Sequence, residues 1–208
     1  MQENRMLLRL MYFPVEVLGP GRRVGIWFQG CSIGCEGCIA PENRPFDPFF
    51  STTLEDVEDR LRCFLEKNVA IDGVTISGGE PFDQPAALAS LVERCRRMGL
   101  DDILVYSGYH KDHLLQKYPE TTPSLTALVD GPFVRGDLTE AAWKGSANQT
   151  LTVFDPLYAE KYALWSAQGK GALQIARDEG EIYLLGIPRQ QDVPALLAKM
   201  RSALSGND

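Results

Sequence analysis

The sequence has few basic residues and no long apolar segment, and these two shortages exclude several classes of protein. Its 208 residues include 21 Lys and Arg against 28 Asp and Glu, a net charge of −7, whereas a nucleic-acid-binding face needs clustered basic side chains. The apolar run near the N-terminus is interrupted by Arg9 and Pro14, and no window approaches the roughly 20 apolar residues of a membrane span. We therefore expect a cytoplasmic protein with neither nucleic acid nor a membrane as its partner.

Histidine is also scarce, and the number of cysteines is odd. The chain has 2 His and 5 Cys, so its cysteines cannot all pair in disulfides within the chain. Their spacing does not suit a small secreted disulfide scaffold either. Three of them lie within eight residues, in "CSIGCEGC" at 31–38. In a reducing compartment, thiols clustered in this way favour a metal centre.

Repeats, low-complexity tracts and Pro- or Ser-rich linkers are all missing, which predicts one domain over 1–208. Apolar runs alternate with helical patterns, which is typical of an α/β fold with a mainly parallel sheet. A hairpin around "RDEG" and a last helix over about 192–204 form a C-terminal extension. The predicted strands are 24–29, 71–77, 102–106, 127–130 and 149–154, and the predicted helices cover 52–67, a segment from Pro85, and 110–118.

The helix at 52–67 has the clearest local signals. Thr52 and Glu55 have the spacing of a capping box, and an apolar stripe follows at helical spacing. On the next helix Cys95 falls on the apolar face. Free cysteine is often buried, so we expect both Cys63 and Cys95 to be core residues rather than ligands.

The unusual residues of the chain follow the ends of the predicted strands. Parallel α/β sheets collect their active sites at the carboxyl ends of the strands. One edge is therefore expected to hold the cysteine triplet, the glycine-rich stretch 78–81, and the turns that follow the third and fourth of these strands.

Cys31, Cys35 and Cys38 lie on one tight loop with a glycine beside each cysteine. Structural zinc normally takes four ligands. A cubane iron–sulfur cluster held by three cysteines leaves one iron without a protein ligand and open to a substrate or cofactor. The triplet favours the cluster over zinc, although it does not by itself exclude zinc.

A second motif, "SGGEP" at 77–81, follows the next strand. Two glycines permit a close backbone approach, and Glu80 offers a carboxylate to an ammonium group. In isolation the same residues would indicate no more than a turn.

With its C-x3-C-x2-C spacing and the Gly-Gly-Glu stretch, the chain resembles the radical S-adenosylmethionine (SAM) superfamily over about residues 15–155. The segment "GPGRRVGIWFQGCSIGCEGC" at 19–38 is similar to the activases of glycyl-radical enzymes. "VYSGY", "LVDGPF" and "WKGSANQ" are most like the activases of anaerobic ribonucleotide reductase. The resemblance implies an incomplete TIM-like (βα) barrel, with residues from about 156 to 208 added to it.

The same resemblance implies the cofactors and their contacts. One 4Fe-4S cluster would be held by Cys31, Cys35 and Cys38, because no further cysteine cluster is present. SAM would bind the open iron. Its implied contacts are Gly37 and Ile39 near the adenine, Gly78, Gly79 and Glu80 at the methionine amino group, and Ser107, Asp130, Gly131, Pro132, Ser146 and Asn148 elsewhere in the site. Plain turns and strand caps remain alternatives for Ser107 and for the last five.

The implied reaction is reductive cleavage of SAM to a 5′-deoxyadenosyl radical, which takes a hydrogen atom from a substrate. The resemblance implies a glycyl-radical enzyme as that substrate and flavodoxin or ferredoxin as the reductant. No catalytic side chain beyond the cluster ligands is required. Two alternatives stay open: a radical SAM enzyme for a small metabolite or peptide, and a non-catalytic zinc or iron–sulfur module.

Overall fold

The computed structural model describes residues 4–67, 70–168, 173–178, 180–196 and 198. Most of the predicted last helix at 192–204 lies outside these residues. Among the helices that are described, none is both long enough and apolar enough to cross a membrane.

The regular structure of these residues includes nine strands, four α-helices and five short 3-10 helices. The strands are β1 (Arg5–Val15), β2 (Arg23–Phe28), β3 (Ser51–Thr53), β4 (Gly73–Gly78), β5 (Ile103–Ser107), β6 (Ala127–Asp130), β7 (Thr150–Val153), β8 (Gln174–Asp178) and β9 (Glu181–Leu185). The helices are α1 (Leu54–Lys67), α2 (Pro85–Arg97), α3 (Lys111–Lys117) and α4 (Ala159–Ser166).

Seven strands form one sheet in the order β3-β1-β2-β4-β5-β6-β7. The block β2-β4-β5-β6 is parallel, and β1, β3 and β7 pair antiparallel at its sides. This confirms the mixed α/β fold. Within the described residues the order has two ends, β3 and β7, so the sheet does not close into a barrel.

The strand β1 was not predicted from the sequence. The strand Arg5–Val15 pairs antiparallel with β3 at Arg5–Leu7 and with β2 from Leu8 to Val15. Alternate side chains of β1 enter different cores, because successive residues of a strand point to opposite faces. Leu10 contributes to one core and Met11 to the other, and Leu8 shares the core of Met11 because the register shifts between Leu8 and Leu10.

The sheet separates the core into two layers. Helices α1, α2 and α3 contribute to a large apolar cluster on one face, with Ile26, Ile76 and Val105 from the strands. On the other face, Leu104 and Val129 pack with Tyr162 of α4. The antiparallel β8-β9 hairpin, as predicted around "RDEG", packs there against β1.

Two details of α1 differ from the prediction. The capping box is formed one residue later, because Thr53 Oγ1 accepts from the Asp56 amide at 3.1 Å and Asp56 accepts from the Thr53 amide at 3.3 Å. Cys63 is exposed, so its assignment to the core is wrong. Cys95 is buried as expected, and burial raises the pKa of its thiol to about 12.

A buried charged network lies at the amino-terminal ends of the parallel strands, opposite the cysteine loop. Arg23 is 0% exposed and its guanidinium contacts both carboxylate oxygens of Asp102, at 3.0 and 3.1 Å. Lys161 and Tyr162 also donate to Asp102, at 2.7 and 2.6 Å. Thr75 accepts from Arg23 at 2.7 Å. The network therefore ties β2, β4, β5 and α4 together.

We predict that Asp102→Ala destabilises the protein by about 3–5 kcal/mol, because the Arg23 guanidinium would stay buried without its charge partner. Urea unfolding measures the change. Asp101→Ala is the matched control, since that carboxylate is 55% exposed and 3.8 Å from Arg96, and it should cost about 1 kcal/mol or less. Equal losses in the two variants would contradict the prediction.

Candidate active site

A cavity of about 310 Å³ opens at the carboxyl ends of the parallel strands. It brings together ten of the fourteen residues that the sequence and its resemblance selected. They are Cys31, Cys35, Gly37, Cys38, Ile39, Gly78, Gly79, Glu80, Ser107 and Gly131.

The cysteine loop leaves β2 and returns close to its own starting point. The Gly30 amide donates to the Asn43 carbonyl at 2.8 Å, and the Cys31 amide donates to the Arg44 carbonyl at 2.9 Å. Gly34 and Gly37 have φ values of +68° and +74°, a conformation that costs glycine least. The glycines therefore allow the tight turns that carry the three thiols past the cavity.

A polar cluster anchors the first turn of this loop. The backbone amide and the hydroxyl of Ser32 both donate to the Asp83 carboxylate, at 2.6 and 3.0 Å. Tyr109 donates its hydroxyl to the same carboxylate at 2.8 Å and lies 3.0 Å from the Ser32 hydroxyl. The turns after β4 and β5 thus position the segment between Cys31 and Cys35.

The three thiols are close enough to influence one another. Burial raises the pKa of Cys38, an Ala40 amide lowers it, and negative charge on Cys35 and Cys31 raises it again. Across the described part of the chain, no three His, Cys, Asp or Glu side chains converge on one point where a single ion could bind. A cubane cluster uses each thiolate on a different iron, and three thiols on one loop are the donors it takes. The donor set therefore fits such a cluster.

Gly78 and Gly79 are required by backbone contacts within the chain. A Cβ on Gly79 would lie 2.0 Å from the Gly30 carbonyl oxygen, and one on Gly78 would lie 2.4 Å from Phe28 backbone atoms. The Glu80 amide donates to the Gly30 carbonyl at 2.8 Å. The end of β4 is thereby pressed against the start of the cysteine loop.

The carboxylate of Glu80 forms the buried floor of the site. It is 1% exposed and accepts from Ser107 Oγ at 2.8 Å, the Gly108 amide at 2.8 Å and the Phe82 amide at 3.0 Å. Burial raises its pKa to about 7, although these donors lower it. Glu80 thus links the ends of β4 and β5. Its contact with an ammonium group stays a prediction.

The remaining predicted residues do not line the cavity. The Asp130 carboxylate accepts from the Lys111 amide at 2.9 Å and from Thr150 Oγ1 at 2.5 Å. Asn148 donates to the Pro132 carbonyl at 2.8 Å and accepts from Ser146 Oγ at 2.6 Å. Asp130 thus joins the end of β6 to α3 and β7, and Asn148 joins two parts of the β6–β7 loop. Contact of these residues with a ligand stays a prediction.

Several lining residues were missed in the sequence. Tyr106 and Phe133 face the cavity from β5 and from the β6–β7 loop, and Arg44 and Arg135 lie at the cysteine loop. Tyr106 belongs to "VYSGY" and Phe133 to "LVDGPF", two motifs of the resemblance. Their place in these motifs could have identified them as lining residues. Ile187, Pro188 and Gln190 come from the C-terminal extension, and no motif in the sequence marks them.

One known protein family matches most of the large sheet of this chain. The model of the 4Fe-4S single cluster domain family matches residues 17–152. That range contains the cysteine loop, the whole of β2, β3, β4, β5 and β6, and all but the last residue of β7. It ends before α4 and the β8-β9 hairpin.

Similar curated proteins share one description. The anaerobic ribonucleoside-triphosphate reductase-activating protein of Haemophilus influenzae is 30% identical over 152 residues, which cover 70% of this chain and 97% of the relative. The proteins of the same description from Vibrio cholerae and Escherichia coli are 29% and 28% identical, with 96% and 94% of their lengths covered. The chain thus spans nearly the whole of these relatives and adds residues of its own.

We predict that Glu80→Gln removes a pH dependence of stability. A carboxyl whose pKa is raised on folding stabilises the fold below about pH 4.5 and loses that contribution as pH rises through about 7. Relative to the variant, the wild type should lose stability on the order of 3 kcal/mol over this range. Urea unfolding at a series of pH values measures it. Exposed Glu93→Gln is the control, and parallel wild-type and Glu80→Gln curves would refute the assignment.

We also predict that Asp83→Ala loosens the cysteine loop, because Ser32 loses the acceptor of both its amide and its hydroxyl. Hydrogen exchange of the Ser32 amide should accelerate roughly tenfold or more. Asp112→Ala, an exposed carboxylate on α3, should leave that amide unchanged. Unaltered protection in Asp83→Ala would show that the cluster of polar groups does not hold the loop.

Proposed function

Because the chain belongs to the 4Fe-4S single cluster domain family and to the anaerobic ribonucleoside-triphosphate reductase-activating proteins, we propose that it is a radical SAM activase of a glycyl-radical enzyme. The observation that carries the proposal is the shared cavity. Three thiols of one loop and the Gly78-Gly79-Glu80 turn face the same space of about 310 Å³.

Cys31, Cys35 and Cys38 would hold one 4Fe-4S cluster and leave its fourth iron open to SAM. When bound and reduced, the cluster supplies the electron that splits SAM into methionine and a 5′-deoxyadenosyl radical. No acid or base of the protein is needed for that cleavage, so the protein's part is to bind, orient and shield.

The surrounding residues divide that work. Backbone groups of Gly78 and Gly79 are within the cavity wall and would bind the methionine part of SAM, with Glu80 beneath them. Gly37 and Ile39 would lie along the adenine. Ser107 and Gly131 also line the cavity and would supply further polar contacts to SAM. Asp130, Pro132, Ser146 and Asn148 would act on SAM through the shape of the β6–β7 loop.

The apolar lining serves the radical step. Ile33, Ile39 and Phe133 face the cavity, and an apolar surround excludes water and reactive side chains from the cofactor. We propose that the open seven-stranded sheet is the incomplete barrel of the superfamily.

The hydrogen donor is proposed from the names of the relatives. They are activating proteins of anaerobic ribonucleoside-triphosphate reductase, so the donor would be a backbone glycine of such a reductase. The reductant would be flavodoxin or ferredoxin, and the compartment the cytoplasm.

The test uses matched cysteine variants of the anaerobically reconstituted protein. Wild type and Cys63→Ala should each take up one cluster and form 5′-deoxyadenosine from SAM after reduction, because Cys63 is exposed on α1. Cys35→Ala should do neither. Absorbance, iron content and chromatography of the nucleoside measure the outcome.

Binding of one zinc ion with intact SAM would overturn the proposal in favour of a structural metal module. If SAM is cleaved, the reductase is added and its glycyl radical is followed by electron paramagnetic resonance. Nucleoside formation without that radical, but with turnover of a small metabolite or peptide, would favour the other enzyme class.

A further inference from the structure

The C-terminal extension, which lies outside the residues that the family model matches, contributes part of the cavity wall. Ile187, Pro188, Gln190, Val193 and Pro194 line the same cavity as the three cysteines. All five lie beyond residue 152, where the match to the family ends. We call residues 186–194 the strap.

The strap begins at one side of the sheet. Gln174 of β8 donates to the Pro14 carbonyl at 2.6 Å and accepts from the Glu16 amide at 3.0 Å. Ala176 and Leu185 pack in one apolar cluster with Leu10 and Val15 of β1. The hairpin is thereby fixed to β1, next to the β3 end of the strand order.

The strap is then fastened at the opposite side, on the loop that joins β6 to β7. The Gly136 amide donates to Gln190 Oε1 at 2.8 Å. Gln190 Nε2 donates to the carbonyls of Gly145 at 3.0 Å and Val134 at 3.2 Å. Among the described residues, the strap's one charged contact is the pair of Arg189 with Glu140 at 3.8 Å, and exposed pairs of that length add little. One glutamine side chain therefore provides most of the polar attachment.

These two attachments carry the strap from the β1 side of the sheet to the β6–β7 loop. The sheet has free ends at β3 and β7 in the described residues, and the extension connects the β1 side to the β6–β7 loop. Ile187, Pro188 and Val193 are apolar and half-buried, and they face the cavity opposite a polar and thiol-bearing wall. The cavity's volume, about 310 Å³, lies near the lower end of the roughly 300–1,000 Å³ that ligand cavities occupy.

We propose that the strap is an added wall of the SAM site, latched by Gln190, that retains SAM in the cavity. A molecule bound between the cysteine loop and Gly78-Gly79 contacts this wall, so the wall slows its release. Ile187 supplies apolar contact and Gln190 holds the wall closed as a positioning residue. This inference rests on the proposed SAM-binding function.

Two pairs of variants test the wall in the anaerobically reconstituted protein. Gln190→Ala removes the latch, and its neighbour Gln191→Ala, exposed at the surface, is the control. Ile187→Ala removes an apolar contact, and Ile182→Ala, 65% exposed on the hairpin, is the control. Equilibrium dialysis with radiolabelled SAM gives Kd, and a chase with unlabelled SAM gives the dissociation rate.

We expect Gln190→Ala to raise Kd and the dissociation rate roughly tenfold, the effect of one or two net hydrogen bonds. Ile187→Ala should raise both roughly threefold or more, and the two controls should match wild type. Hydrogen exchange of the Gly136 amide without SAM should accelerate in Gln190→Ala alone. Iron content should be equal in all five proteins, which separates loss of the wall from loss of the cluster.

The possible outcomes distinguish failure of the proposed wall from failure of the proposed SAM-binding function. Wild-type protein that binds SAM, with unchanged Kd in both Gln190→Ala and Ile187→Ala, overturns the wall and leaves the SAM function standing. Wild-type protein that takes up its cluster but binds no SAM overturns both. If Gln190→Ala does not fold, Ile187→Ala decides: a Kd equal to that of wild type and Ile182→Ala refutes the proposal.

Discussion

The site depends on one backbone contact, the close approach of Gly79 to the carbonyl of Gly30. The Gly30 carbonyl accepts from the Glu80 amide at 2.8 Å, and a Cβ on Gly79 would lie 2.0 Å from its oxygen. A side chain at position 79 would force the end of β4 away from the cysteine loop. Since Glu80 follows at once and holds Ser107 and Gly108, the same displacement would pull the end of β5 away from the site.

Polar anchors of different kinds stabilise the two ends of the parallel strands. At the amino-terminal ends, Arg23 and Asp102 form a buried ion pair whose further hydrogen bonds reach β4 and α4. At the carboxyl ends, Glu80 and Asp83 accept from backbone amides and hydroxyls without a cationic partner in those contacts. A carboxylate held only by neutral donors remains available to an incoming positive group, which an ion pair would not permit. This division suits a site that binds a cationic ligand at one end of a rigid sheet.

The glycines of the sequence motifs have two different structural roles, which the sequence alone does not distinguish. Gly34 and Gly37 turn the cysteine loop, whereas Gly78 and Gly79 make room for backbone. Arg23 and the preceding Gly-Pro-Gly belong to the same resemblance but lie at the far end of the strands. Gly19 packs against Arg23, where a Cβ would be 2.6 Å from its Cδ atom. Part of a family signature can thus maintain the scaffold rather than touch a ligand.

By itself the sequence determined the alternation of strands and helices, the hairpin and the position of the cysteine loop, because apolar periodicity and glycine placement are local properties. It also selected Cys31, Cys35, Cys38 and the Gly78-Gly79-Glu80 turn, since spacing along the chain carries that chemistry. Only the tertiary structure decided that β1 joins the sheet, that Asp130 and Asn148 hydrogen-bond within the chain, and that Gln190 binds the β6–β7 loop. Those outcomes depend on partners far apart in sequence: Gln190 meets Gly136 across 54 residues. A polar side chain shows no local sign of which distant backbone groups it will bind.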